Sequence, residues 1–340
     1  QQEISKFLGV EVGLVGDGVK DYKDITVISL QSAEEDYIKV PELLQTREAI
    51  KFWQIDNELG GDNDICYCDN CKKAFQKWLK NKYKSIENLN NAWGTDVWSQ
   101  GYNDFKEIEP PRKTQGATNS SLILDYKRFN SDSKIEFQNM QASILRKINK
   151  EWKITTNIFG LSAVIDGKKV NEQNDVVAWD FYPNMTFSTP LPYTHGLGLD
   201  MCRGYKKAPF IKMENQSGVA GGDIMFRTPR PNELAKWTLQ AIAHGASDIS
   251  FFRWRTSSSG PEEYWHGILN HDGVPRRIYN EVKDFGEVFE KLKPYLNDKL
   301  KAKVAIVHNR ELAGGLTTHI HLSTVDIDFT HVGEERLLTW

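Results

Sequence analysis

Two glutamates in this 340-residue chain stand where a carboxylate can move protons. Glu58 closes the apolar run KFWQIDNE (51–58), and Glu214 stands near the end of APFIKMEN (208–215). A carboxylate at the tip of a hydrophobic strand is partly desolvated, which raises its pKa and makes it an acid near neutral pH. Two of them facing each other at about 5–5.5 Å would carry out retaining glycoside hydrolysis, one protonating the leaving oxygen while the other attacks the anomeric carbon. For one strand-end Glu alone, a salt bridge to a nearby Arg is the simpler reading. Two in matching contexts favour catalysis.

A second constellation is the C-x-C-x2-C of Cys66, Cys68 and Cys71. Three thiols within six residues suit tetrahedral zinc, which takes four N or S ligands. Reduced thiols without metal are the alternative. Cys202 stands apart in LDMCRGY, and four cysteines so placed do not read as a disulfide framework.

The elements that must position these residues repeat a simple unit, a short β-branched and aromatic run followed by a longer helical pattern. The runs are KFWQIDNE, KITTNIFG (153–160), VVAWDFYPN (176–184), APFIKMEN and DISFFRWR (248–255), with DITVISL (24–30) as one earlier strand. Asp69 is placed to cap a helix DNCKKAFQKWLKNKY with Phe75, Trp78 and Leu79 on one face. A long helical pattern follows Asn119 and Ser120 to near Lys150. Pro231 and Asn232 open another, which Gly245 closes, and Pro275 opens the one that Pro294 ends. A weak helix, DYIKVPELLQTREAI, is interrupted by Pro41.

This alternation predicts a parallel sheet covered by helices. Polar residues at the C-terminal tips of several strands (Asn57 and Glu58, Asn157, Asp180 and Tyr182, Glu214 and Asn215, Arg253 and Arg255) favour an α/β fold of the (β/α)8 TIM-barrel type over a doubly wound sheet. No G-x-G-x-x-G follows a strand. The expected barrel domain runs over 1–296, with 1–50 fitting it poorly. KVAIVHN (303–309) and STVDIDFTHV (323–332) suggest that a second α/β domain begins within 297–340.

Composition narrows the function. Hydrophobic content of 39% with 26% charge excludes a disordered chain. A net charge of −3 and a pI near 6.3 argue against nucleic-acid and anionic-membrane partners. No apolar run approaches about 20 residues. The opening QQEISKFLGVEV shows no export signal, so a cytoplasmic protein is expected. Aromatic residues make up 11% of the chain, including ten Trp, and flat rings beside polar groups suit the apolar faces of sugars.

WQIDNELGG, CYCDNC, LNNAWGTDVWSQ, EIEPPR, WDFYPN, KAPFIKMEN, RTPRPNELAKWTLQAIAHGA, and FFRWR followed by EEYWHG resemble the β-galactosidases of glycoside hydrolase family 42, almost collinearly from about 51 to 296. The resemblance implies a retaining exo-β-galactosidase acting on small β-galactosides or oligosaccharides. It makes Glu58 the acid/base and Glu214 the nucleophile. It places Asn57 at the sugar 2-hydroxyl, Trp98 and Tyr182 in the sugar subsite, and Glu263 and His266 on the galactose hydroxyls. It also implies structural zinc on Cys66, Cys68 and Cys71 with a fourth cysteine from upstream. Residues 1–65 do not supply one, so the fourth position falls to water or another side chain, or the site is empty. The resemblance implies no cofactor for catalysis, and a homotrimer. Arg253 and Arg255 read as ion partners of glutamates at the barrel mouth, or as purely structural residues. The family carries well over a hundred residues before its acid/base, where this chain has 57, so the barrel is expected to be incomplete on its N-terminal side. An inactive or weakly sugar-binding remnant, or a retaining glycosidase for another glycoside such as a β-arabinopyranoside, are the competing readings.

Overall fold

A computed structural model describes residues 27–30, 52–60, 65–112, 118–160, 164–183, 192–221, 226–296, 300 and 302. The chain divides into two compact units, one of 1–59, 137–161 and 167–301, the other of 60–136, 162–166 and 302–340. The weak helix expected around Pro41, the strands expected at 303–309 and 323–332, and with them the second domain expected within 297–340, lie outside the described residues.

The first unit holds every described strand, and all of them pair in parallel. Strands β1 (Val27–Leu30), β2 (Phe52–Ile55) and β3 (Ile154–Thr155) form a three-stranded sheet in that order. Strands β4 (Asn157–Phe159), β5 (Ala178–Phe181), β6 (Phe210–Gln216) and β7 (Ala246–Phe252) form a four-stranded one. Only Thr156 separates β3 from β4, so one extended run belongs to both sheets and links them. Val27 pairs with Phe52, Trp53 with Ile154, Asn157 with Ala178 and Ala178 with Ile211. Long crossovers between parallel neighbours in sequential order are the topology of a (β/α) barrel, and the sequence-based reading of the fold class holds. Strand β7 stops at Phe252, so Arg253 and Arg255 lie in the loop beyond it rather than alternating along a strand.

One irregularity in the sheet decides which way the chemistry faces. Trp179 pairs with Lys212, but the next pair is Asp180 with Glu214, so Met213 is an extra residue in β6. Without it, Lys212 and Glu214, two apart, would share a face. With it, Ile211 and Met213 pack with Ala178, while Lys212 turns to the opposite face, where the rings of Trp179, Phe181 and His195 stack. Glu214 turns with Asp180 instead. A bulge that re-aims one side chain is a common device next to functional sites.

Helices α1 (Asp69–Tyr83) and α2 (Ile86–Trp93) and the first half of α3 (Ser120–Ile148) build the second unit. Their core is Phe75, Leu79, Leu89, Trp93, Ile108, Leu122, Tyr126 and Phe129. Asp69 is the first residue of α1 rather than its cap; Cys68 takes the cap position with extended backbone and no capping side-chain bond. Ser85 caps α2, its hydroxyl accepting from the Asn88 amide at 3.2 Å. Buried Asp125 is the polar centre of this unit, accepting from Tyr83 Oη at 2.6 Å, Trp93 Nε1 at 3.1 Å and Arg128 at 2.8 Å, and from Lys82. Burial works to raise its pKa, but these donors outweigh it and hold the carboxyl below its usual value.

The first unit continues through α4 (Gly167–Val170), α5 (Pro192–Lys206), α6 (Glu233–Ala243) and α7 (Arg277–Leu292). Lys212 is sealed between β6 and α5, its Nζ 3.0 Å from His195 Nε2 and 3.3 Å from the Phe181 carbonyl. Burial pushes its pKa down to about 7 from 10.5. The unfolded chain therefore binds more protons between those values, and stability rises with pH across that window. Lys212→Met should gain stability on the order of 2 kcal/mol at pH 6.5, with the gain shrinking toward pH 10. Urea unfolding at both pH values checks this, and a gain independent of pH would contradict it.

Candidate active site

The tip of β2 is held in a costly backbone shape. Asp56 and Glu58 have φ of 59° and 44°, left-handed values that non-glycine residues avoid. Several bonds maintain the turn. Asp56 Oδ1 accepts from the Asn57 amide at 2.8 Å, its Oδ2 accepts from Gln141 Nε2 at 3.2 Å, and the Glu58 amide donates to Asn157 Oδ1 at 3.1 Å. Asn157, fully buried on β4, is the hub. Its Nδ2 donates to Asn57 Oδ1 at 2.9 Å and to Asp180, and its Oδ1 also accepts from Gln54 Nε2 at 3.0 Å.

This frame brings Glu58, Asp180 and Glu214 together, with one carboxyl oxygen of each within 4.8 Å of the others. The two strand-end glutamates expected to meet do meet, on one side of the sheet. The Tyr182 hydroxyl donates to Glu214 Oε2, which favours the ionised form of that carboxyl. Burial dominates all the same and, with Glu58 and Glu262 nearby, pushes Glu214 up to about 7. Burial also raises the Tyr182 phenol well above its ordinary value, helped by Glu214. Phe252 and Trp265 flank Tyr182 at ring separations of 6.4 and 4.8 Å.

The E-x-x-H segment reaches this region through two close approaches. The His266 amide donates to the Val219 carbonyl at 2.9 Å, and Ser217 Oγ donates to the His266 carbonyl at 3.0 Å. A Cβ on Gly218 would lie 2.5 Å from His266 Cβ, and one on Gly221 would lie 2.6 Å from the Tyr264 carbonyl. The backbone just past β6 can therefore carry no side chain at either position. His266 and His271 line a cavity of about 550 Å³ with Asn270 and Asp272. Burial lowers the His266 pKa, and His271 adds to the effect. Glu263 is half-buried and hydrogen-bonds to the Tyr264 hydroxyl. Arg253 pairs with Glu262 at 3.0 Å, whereas Arg255 is exposed. Trp98 belongs to the second unit, where the residue is 74% exposed.

Asp180, Asn157 and Gln54 carry parts of this site that the motif reading did not assign. Asp180 and Tyr182 are spaced i, i+2 in WDFY, a spacing that puts both on one face of a strand. Replacing Asn157 with Ala strips partners from Glu58, Asn57, Gln54 and Asp180 at once. It should cost about 2–3 kcal/mol of stability, read as a shift in urea midpoint.

In the second unit, the sulfurs of Cys66, Cys68 and Cys71 lie within 4.8 Å of one another. The Cys71 amide and bonds with Cys66 and Cys71 pull Cys68 down to about 7, while burial and the neighbouring sulfurs push Cys71 up to about 12. Three converging sulfurs, one of them already close to thiolate at neutral pH, fit a tetrahedral soft-metal site with one further ligand. Cys202, buried in the first unit, is not one of the three.

Residues 25–292 match the family model Glyco_hydro_42, described as beta-galactosidase. The chain is 35% identical over 316 residues to beta-galactosidase LacZ of Heyndrickxia coagulans, covering 87% of this chain and 47% of that one. It is 37% identical over 268 residues to beta-galactosidase BgaA of Clostridium cellulovorans, covering 78% and 40% respectively. The polyextremophilic beta-galactosidase of Halorubrum lacusprofundi superposes with a TM-score of 0.82 at 32% identity, over 88% of this chain and 46% of the other. The chain thus spans less than half the length of these relatives.

Proposed function

We infer the reaction from one premise: this chain belongs to glycoside hydrolase family 42, the β-galactosidases. Our reading is a retaining exo-β-galactosidase that cleaves terminal β-D-galactosides by double displacement. The observation that carries it is the approach of the Glu58 and Glu214 carboxyls to within 4.8 Å. That separation suits direct attack by one carboxylate and leaves no room for the water an inverting pair needs.

Glu214, receiving the Tyr182 hydroxyl, is the nucleophile in this reading, and Glu58 is the acid/base. Glu58 gives its proton to the glycosidic oxygen as Glu214 bonds to the anomeric carbon and the aglycone leaves. Glu58 then takes a proton from water as that water displaces Glu214. Asn57, Tyr182, Trp98, Glu263 and His266 are the proposed sugar contacts. Tyr182 is supported by its bond to Glu214, and His266 is held to the backbone just past β6 through the Val219 and Ser217 bonds. Trp98 is carried over from the motif resemblance alone.

Glu214→Ala should abolish turnover of an aryl β-galactoside. Azide should then attack from the vacated face and give the α-galactosyl azide. Glu58→Ala should slow hydrolysis about 10²–10⁴-fold and give the β-azide. Because Glu214 must be ionised and sits near pH 7, kcat/KM should fall as pH drops below about 7. The same azide anomer from both variants would overturn the assignment. A second reading, sugar binding without turnover, is separated from the first by calorimetry with galactose alongside the hydrolysis assay.

Cys66, Cys68 and Cys71 would hold a structural zinc, whose chemistry is to cross-link the start of α1 to the segment before it. A cytoplasmic setting that keeps these thiols reduced, and a homotrimer as the family resemblance implies, complete the proposal. Metal analysis of the purified protein should find about one zinc per chain, lost in Cys66→Ser together with some thermal stability of the second unit. Equal metal content in the variant would remove zinc from the reading.

A further inference from the structure

Glu58 and Glu214 account for both proton and bond transfers, yet a third carboxyl stands within 4.8 Å of them. Asp180 is 0% exposed, more deeply placed than either glutamate. Its Oδ2 accepts from Asn157, while its Oδ1 is buried with no hydrogen-bond partner among the described residues. A buried carboxylate needs donors on both oxygens, and one left bare costs the full desolvation penalty of a charged acceptor. The groups facing the Asp180 carboxyl include those of Glu58 and Glu214, which offer no proton when ionised.

The same geometry is satisfied at once if Oδ1 carries hydrogen. It then becomes a donor facing acceptors, and the cluster loses one of three like charges. We propose that Asp180 is a positioning residue that stays neutral through the catalytic cycle, its Oδ1–H donating to the Glu58 carboxylate whenever Glu58 has given up its own proton. This rests on the retaining reading above. As the aglycone leaves with the Glu58 proton, the Asp180 hydroxyl stabilises the new Glu58 carboxylate. As water enters, Glu58 recovers a proton from it, and Asp180 keeps its own throughout.

The surroundings are consistent from every side. Glu58 beyond β2, Tyr182 just past β5 and Glu214 on β6 face Asp180 as acids, and burial followed by Glu214 and Glu58 raises its pKa well above the ordinary value. Lys212 of β6 and Cys202 of α5 also feel its charge. Lys212 would favour the ionised form, but its amine is turned to His195 and the Phe181 carbonyl on the other face and is itself held down by burial.

Asparagine reproduces a neutral Asp180, with an oxygen to accept from Asn157 and an amide hydrogen in place of the Oδ1 proton. Asp180→Asn should therefore retain activity that Asp180→Leu loses and leave both limbs of the pH profile in place. Asp180→Leu, the same size without a donor, should lose at least tenfold. A protonated-carboxyl stretch in the infrared spectrum of the full chain at pH 8, absent in Asp180→Asn, should report the proton directly and needs no turnover. If Asp180 is ionised instead, Asp180→Asn removes a charge beside both glutamates, moves both limbs about one unit to lower pH, and shows no lost band. That result overturns the proposal. If the chain hydrolyses no galactoside, the retaining reading fails, and the infrared comparison still decides the state of Asp180.

Discussion

Crowding acidic groups at the ends of parallel strands is the constraint from which the rest of this site follows. Three carboxyls within 4.8 Å cannot all be charged in a water-poor setting, so each needs an environment that separates its behaviour from the others. Glu214 receives a phenol. Glu58 sits on a left-handed turn whose amide is tied to Asn157. Asp180 is buried outright. Repulsion among them is turned into a division of roles by what else each one touches.

The supporting structure is polar where it meets the acids and apolar elsewhere. Asn157 reaches the Glu58 backbone, Asn57, Gln54 and Asp180, so one fully buried amide sets the spacing between two strand ends. Behind the sheet, Lys212 lies over the Trp179 and Phe181 rings at 5.5 and 5.8 Å. Burying an amine there costs stability, and the site lies just across the same strands. Stability and function meet in β6, which shows Lys212 to one face and Glu214 to the other across a single extra residue.

The second unit follows a different logic. Its helices bury an aromatic core around Asp125, whose four donors offset the burial of its charge. Its cysteines straddle the start of α1, with Cys66 and Cys68 before it and Cys71 in its first turn, where the cap position has no side-chain oxygen and a thiolate is favoured by the helix N-terminus.

Much of this was legible in the chain itself. Short β-branched and aromatic runs ending in polar residues marked the strands, because parallel strands buried on both faces must be apolar along their length and expose chemistry only at their tips. That logic placed Glu58 and Glu214, and the spacing of Cys66, Cys68 and Cys71 marked their convergence, since both signals are local. What only the tertiary structure decided depended on register. Period-2 alternation puts Glu214 on the face of Lys212, and no residue type in FIKMEN announces the bulge at Met213 that reverses it. The carboxyl of Asp180 looked like one strand-tip acid among several until its pairing opposite Glu214 put it against two others. Hydrogen bonds across about a hundred residues of chain, as from Gln54 and Glu58 to Asn157, arise only when β2 pairs with the run that holds β3 and β4, and no local pattern encodes them.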